Sequence, residues 1–190
     1  MKNIVTFLLL LSITLTYSQE ESFKYDINGL QPLHLISKID SLNQKQLFNK
    51  TINWIKETYK NPNEVIKAKI ENKKIRFNGS AGYYLSTRYL GMNKPYLTRY
   101  TIEISFKDGR YKFNPINLEY YQEASQYVSG GWMSVSFSSD SGFYKKKGKI
   151  RKMFRNFPKE ISTLFNGLES SLKVYLLKEN KTIKSTEDDW

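Results

Sequence analysis

The chain has 190 residues, 39% of them hydrophobic, 25% charged and 15% aromatic, with no cysteine, one histidine and a formal charge of +12. That length suits one domain, able to bury about two-thirds of its unfolded surface without disulfides or a structural metal. The lack of cysteine excludes zinc ribbons, iron–sulfur clusters, thiol catalysis and disulfide frameworks, and the lone His34 leaves little room for histidine-based metal or acid–base chemistry. Neither a cofactor nor a metal is expected.

Met1-Lys2-Asn3 precedes an apolar run over residues 4–16. A short basic start followed by such a run describes a signal peptide, and the run is too short to span a bilayer. Small residues at −1 and −3 place the cut after Ser18, with Thr16 behind it, so residues 19–190 form one mature domain. No later segment approaches the ~20 apolar residues a spanning helix needs. The expectation is an exported protein, periplasmic or secreted.

A first strand is expected over residues 33–39, where Leu33, Leu35 and Ile39 share one parity. Ser41 and Gln44 read as a capping box opening a helix near 41–60, with Phe48, Ile52, Ile55 and Tyr59 at helical spacing and Leu47, Thr51 and Trp54 widening the stripe. Pro62 ends it. Ile66, Ala68 and Ile70 then alternate as a strand, and a two-residue turn at Asn72-Lys73 would set Ile70 opposite Ile75. Gly91 and Pro95 suggest a loop. Tyr100, Ile102, Ile104 and Phe106 alternate into Asp108-Gly109, read as a type I′ turn, and out through Tyr111 and Phe113. The parity flips past Pro115 to Ile116, Leu118 and Tyr120, which calls for a bulge. Residues 122–157 are an insertion rich in Gly, Ser, aromatics and then lysine, in which an extra hairpin or a functional arm is expected. Pro158 starts a last helix near 159–177, and 179–190 form a polar tail. The order is β-α-β-β-β-β-α, an α+β domain with both helices on one face of an antiparallel sheet.

The run Leu47-Phe48-Asn49-Lys50-Thr51-Ile52-Asn53-Trp54-Ile55, with Tyr59-Lys60-Asn61-Pro62-Asn63-Glu64-Val65-Ile66, resembles an exported bacterial domain of unknown function with a TATA-binding-protein-like (TBP-like) fold. Tyr100-Thr101-Ile102-Glu103-Ile104 and Lys107-Asp108-Gly109-Arg110-Tyr111 resemble its central hairpin, and the likeness covers roughly residues 40–121. The resemblance implies a curved sheet in β-α-β4-α order. It carries no functional residues with it, and the fold name does not bring DNA binding.

No phosphate-binding, nucleophile-elbow, metalloprotease or EF-hand motif occurs. Gly79-Ser80-Ala81-Gly82 reads as bulged strand, and His34 as a partly exposed strand residue. Glu103 and Glu119 fall on the open polar side of the sheet, where solvated surface is the plainer reading than a glycosidase pair. Glu187, Asp188 and Asp189 read as a mobile acidic end rather than a metal site.

The strongest feature outside the core is basic. Lys145, Lys146, Lys147, Lys149, Arg151, Lys152 and Arg155 follow Tyr144 without an acidic residue between them. A solvated loop is the plainer reading, and an anion-binding arm the sharper one. Trp132, Tyr144, Lys145, Lys146, Lys147, Lys149 and Arg151 are the partner-binding candidates, Trp132 and Tyr144 because neither has a core position. No catalytic residue is assigned. The expected function is a non-catalytic binding module of the bacterial envelope, its partner an anionic lipid, an anionic glycan or an envelope protein; nucleic acid is not expected. The alternative is a hydrolase of an envelope polymer with a dispersed site.

Overall fold

The computed structural model describes residues 21–126 and 128–178. The signal peptide expected over residues 1–18, with its expected cut after Ser18, and the residues 179–190 lie outside the described residues. The chain runs β1 (Lys24–Asp26), β2 (Gly29–Gln31), β3 (Leu35–Lys38), α1 (Gln44–Thr58), a single turn α2 (Pro62–Val65), β4 (Ile66–Ile70), β5 (Lys74–Tyr89), β6 (Met92–Lys107), β7 (Arg110–Gln122), β8 (Gly131–Ser134), a 3-10 turn (Lys152–Phe154) and α3 (Phe157–Leu177). The main sheet has the order β3-β7-β6-β5-β4, with β8 beside the far half of β7, and all its pairings are antiparallel.

Alternation makes one face of this sheet apolar: Ile75, Phe77, Ile102, Ile104, Phe106, Tyr111, Phe113 and Leu118 are all buried. Both long helices lie on that face. From α1, Phe48 meets Phe106 and Trp54 meets Phe77 edge-on, at ring separations of 5.8 and 5.9 Å. From α3, Phe157 meets Tyr120 at 5.3 Å, and Glu169 accepts hydrogen bonds from Tyr111 (2.7 Å) and Ser37 (2.6 Å). Trp54 Nε1 donates to Ser171 Oγ, tying the two helices to each other.

Several local expectations are corrected. The capping box is Asn43 with Gln46, each side chain bonding the other's backbone N–H at 2.9 Å, while Leu42 N–H is held in a turn by Ile39. The strand expected to be first, over residues 33–39, is β3, which starts at Leu35 and leaves Leu33 49% exposed. Ile70 pairs with Lys74 across a three-residue turn, so Ile70 and Ala68 point to the open face rather than the core. Asn72 makes that turn possible by adopting φ 57°, which asparagine tolerates.

At 108–109 the two-residue turn and its register stand, Lys107 opposite Arg110, but only Gly109 has positive φ. The turn is therefore not type I′. Asp108 instead accepts the Gln44 N–H at the start of α1. The type I′ signature belongs to Leu90-Gly91 (φ 48° and 85°), where a loop was expected and where β5 turns directly into β6. The bulge near Pro115 is present with Ile116 as its extra residue. Ile116 therefore turns outward, while Pro115, Leu118 and Tyr120 turn inward.

The described part of the insertion packs on the rest of the domain. Beyond β8, Val135 and Phe143 are buried, Phe137 C=O accepts the Leu30 N–H, and Tyr25 Oη donates to Ser136 C=O. The β1–β2 hairpin is held in turn by Asn166 and Ser162 of α3, which accept the backbone N–H groups of Phe23 and Tyr25.

Candidate functional site

The basic arm is a short, closed hairpin. Arg151 N–H donates to Phe143 C=O (2.8 Å), Tyr144 bridges Ile150, and Lys145 N–H donates to Lys149 C=O (2.9 Å). Gly148, at φ 75°, closes the tip onto Lys145 C=O. Its root is the Phe143 ring, 4.8 Å from Phe154 and 4.9 Å from Phe157. The Asp140 carboxylate accepts the N–H groups of Phe143 and Tyr144, so it is held by the hairpin's own backbone. Lys145, Lys146, Lys147, Lys149 and Arg151 are exposed, and among the described residues none of them is in an ion pair.

The two aromatic candidates belong elsewhere. Tyr144 is half-buried and packs on the core, and burial, then the charges of Asp26 and Asp140, push its phenol pKa up. It is part of the hairpin's footing rather than a free platform. Trp132 sits on β8, on the open side of the sheet. There the Arg99 guanidinium covers its ring at 3.9 Å, and Tyr121 meets it edge-on at 5.4 Å. The structure therefore groups the five cations and separates Trp132 from them.

The open face carries the carboxylates that an enzyme reading would need. Glu103 is flanked by Lys74 (2.8 Å) and Arg76 (2.7 Å), and Glu119 by Arg99 (2.7 Å). Burial works against ionisation of Glu103, but the hydrogen bonds and charges of Lys74 and Arg76 outweigh it and lower its pKa. For Glu119 the Arg99 hydrogen bond leads, with the same result. Both stay ionised at neutral pH. A glycosidase's general acid must instead be held protonated by a raised pKa, so these two cannot supply one.

Two features escaped the sequence reading. A cleft of about 430 Å³ lies between α1 and α3, lined by Gln46, Asn49, Lys50, Asn53, Glu57 and Tyr175 among others. In it Tyr175 donates to Glu57, and partial burial followed by that bond pushes its phenol pKa up to about 12. Lys50 donates to the C=O groups of Leu176 and Lys178, so much of the cleft's polarity serves to end α3. The second feature is the β5–β6 tip, where Tyr89, Leu90 and Met92 are 69–80% exposed. The Leu-Gly pair at its apex is the turn signal that could have revealed it.

A sheet with these neighbours has relatives. Residues 35–121 match the domain of unknown function DUF4468, with TBP-like fold. A DUF4468 family protein from Bacteroides ovatus superposes with a TM-score of 0.58 at 14% identity, over 78% of this chain and 86% of that one. A TBP-like protein from Parabacteroides distasonis gives 0.51 at 14% identity, over 75% and 90%. At that identity the likeness establishes the architecture, and the fold is TBP-like. No curated protein matches the chain. The matched segment runs from β3 almost to the end of β7, so the basic hairpin and α3 lie beyond it.

Proposed function

We propose that the protein is an exported, non-catalytic binding module of the bacterial envelope that docks on anionic groups through the hairpin 143–151. One observation carries this reading: five cations stand exposed on a closed turn whose base is fixed in an aromatic cluster. A loop serving only solubility needs no such footing. A preformed turn brings its charges to a partner with little further ordering, which lowers the entropic cost of binding. The phosphate or carboxylate groups of envelope lipids and glycans supply the matching charge.

The test is retention on dextran sulfate against neutral dextran. The expected outcome is binding to the sulfated polymer alone, eluted by rising salt as screening shortens the reach of each charge to ~8–10 Å. Changing Lys145, Lys146, Lys147, Lys149 and Arg151 together to Gln should abolish retention and leave the fold intact. Unchanged retention would refute the assignment. Export is checked separately, by mass spectrometry of the released protein, which should begin at Gln19.

A further inference from the structure

β5 and β6 leave the sheet together. β4 pairs with β5 only as far as Phe77, and β7 pairs with β6 only from Thr98 onward, so residues 82–97 form a two-stranded ribbon. Its apex is Tyr89-Leu90-Gly91-Met92, with Tyr89 opposite Met92. Tyr89 is 69% exposed, Leu90 80% and Met92 69%.

Leu90 sits at φ 48°, in a turn position where Asn or Asp would be relaxed. A leucine here adds backbone strain and an uncovered apolar side chain, and neither helps folding. Local strain kept at an exposed tip points to use by something outside the fold.

The surroundings identify that something. Arg88 and Lys94 are exposed just behind the apex, Lys94 also reaching Glu123 at 3.3 Å. The 3-10 turn Lys152–Phe154 packs against β5, with Met153 45% exposed. Asn156 then donates to Ser86 and Asn93 on the ribbon, which brings Arg155 to the same end of the molecule. The nearby Glu160 carboxylate is taken up by the N–H and hydroxyl of Ser86. An apolar apex behind a basic collar matches the layering of an anionic bilayer, with headgroup charge outside and hydrocarbon within. A tyrosine at the boundary fits the same layering. Two residues of extended chain beyond the collar reach about 7 Å, the depth of interfacial insertion.

We propose that the β5–β6 apex inserts into the surface of an anionic phospholipid bilayer while Arg88, Lys94, Lys152 and Arg155 rest on its headgroups. This rests on the envelope-binding reading and specifies the lipid as the surface.

Because the chain has no cysteine, Leu90→Cys gives a single attachment point for an environment-sensitive NBD dye. With vesicles of phosphatidylcholine and phosphatidylglycerol, the dye should shift to the blue and be quenched by doxyl-labelled lipid. A dye at Lys107→Cys, at the opposite end of β6, should do neither. Leu90→Gly with Met92→Ser should lower vesicle partition about tenfold and leave dextran sulfate retention unchanged. Quenching at both positions, at neither, or equally on pure phosphatidylcholine overturns the proposal, as does partition unaffected by the double change. Dextran sulfate retention reports on the cationic hairpin separately, so the two readings fail independently.

Discussion

The open face of the sheet and the hairpin 143–151 are both rich in cations, but only one of them uses those cations internally. On the sheet, Lys74 and Arg76 close on Glu103, and Arg99 closes on Glu119 while covering Trp132. On the hairpin, among the described residues, the five cations make no ion pair, and what holds the turn is backbone hydrogen bonding over the buried Phe143 ring. Charge count alone does not distinguish these regions. Pairing does: matched charges serve the fold, and unmatched charges on a fixed support are available to a partner.

The largest test of that contrast is Phe143→Ala. Removing a ring that is 2% exposed and packed on Tyr25, Phe154 and Phe157 should cost about 3–5 kcal/mol in urea unfolding. A loss below about 1 kcal/mol would mean the hairpin is a loose appendage, and the comparison would collapse.

Next comes Glu103→Gln, expected to cost about 1 kcal/mol at neutral pH, because Lys74 and Arg76 are half-exposed and rehydrate once released. The folded-state pKa of Glu103 lies below its ordinary value of 4.5. The stabilisation is therefore complete above that value and disappears as pH falls through the folded-state pKa. Stability curves of the variant and the parent should converge in acid. A constant gap down to low pH would show that the carboxylate acts through packing rather than charge.

A smaller effect is expected at Arg99, which serves Glu119 and the Trp132 ring together. Arg99→Gln should cost about 0.5–1 kcal/mol, and a double-mutant cycle with Trp132→Ala should return a coupling of similar size. Zero coupling would return Trp132 to the pool of residues free for a partner.

These residues also mark what sequence could and could not reveal. The α1 stripe and the Phe106–Tyr111 hairpin were legible because their signals are local: helical spacing in one, alternation about Asp108-Gly109 in the other. The long ribbon was not, because Pro95 argued against a strand. It is tolerated there since Ser86, its partner across the ribbon, gives its N–H to Glu160 instead. The three-residue strands β1 and β2 are too short for any periodicity and depend on Asn166 and Ser162, far along the chain. The five cations of the candidate site were visible as a run. Their separation from Trp132 was not, because it depends on β8 pairing with β7 and on Arg99 reaching the ring.

The smallest expected effect is the most pointed. Changing Lys145, Lys146, Lys147, Lys149 and Arg151 to Gln removes five charges, yet stability should move by no more than about 0.5 kcal/mol. Backbone bonds from Lys145 to Lys149 and from Arg151 to Phe143 survive the change, because they do not involve the altered side chains. No described acid loses a partner, so no carboxylate is left stranded. Like charges crowded on one turn repel within a Debye length of ~8–10 Å, so any shift should be towards greater stability and should fade as salt is added. A clear destabilisation in thermal unfolding at low salt would mean that the arm's cations serve the fold after all. The hairpin would then belong with the sheet's open face, and a partner would no longer be needed to account for its charge.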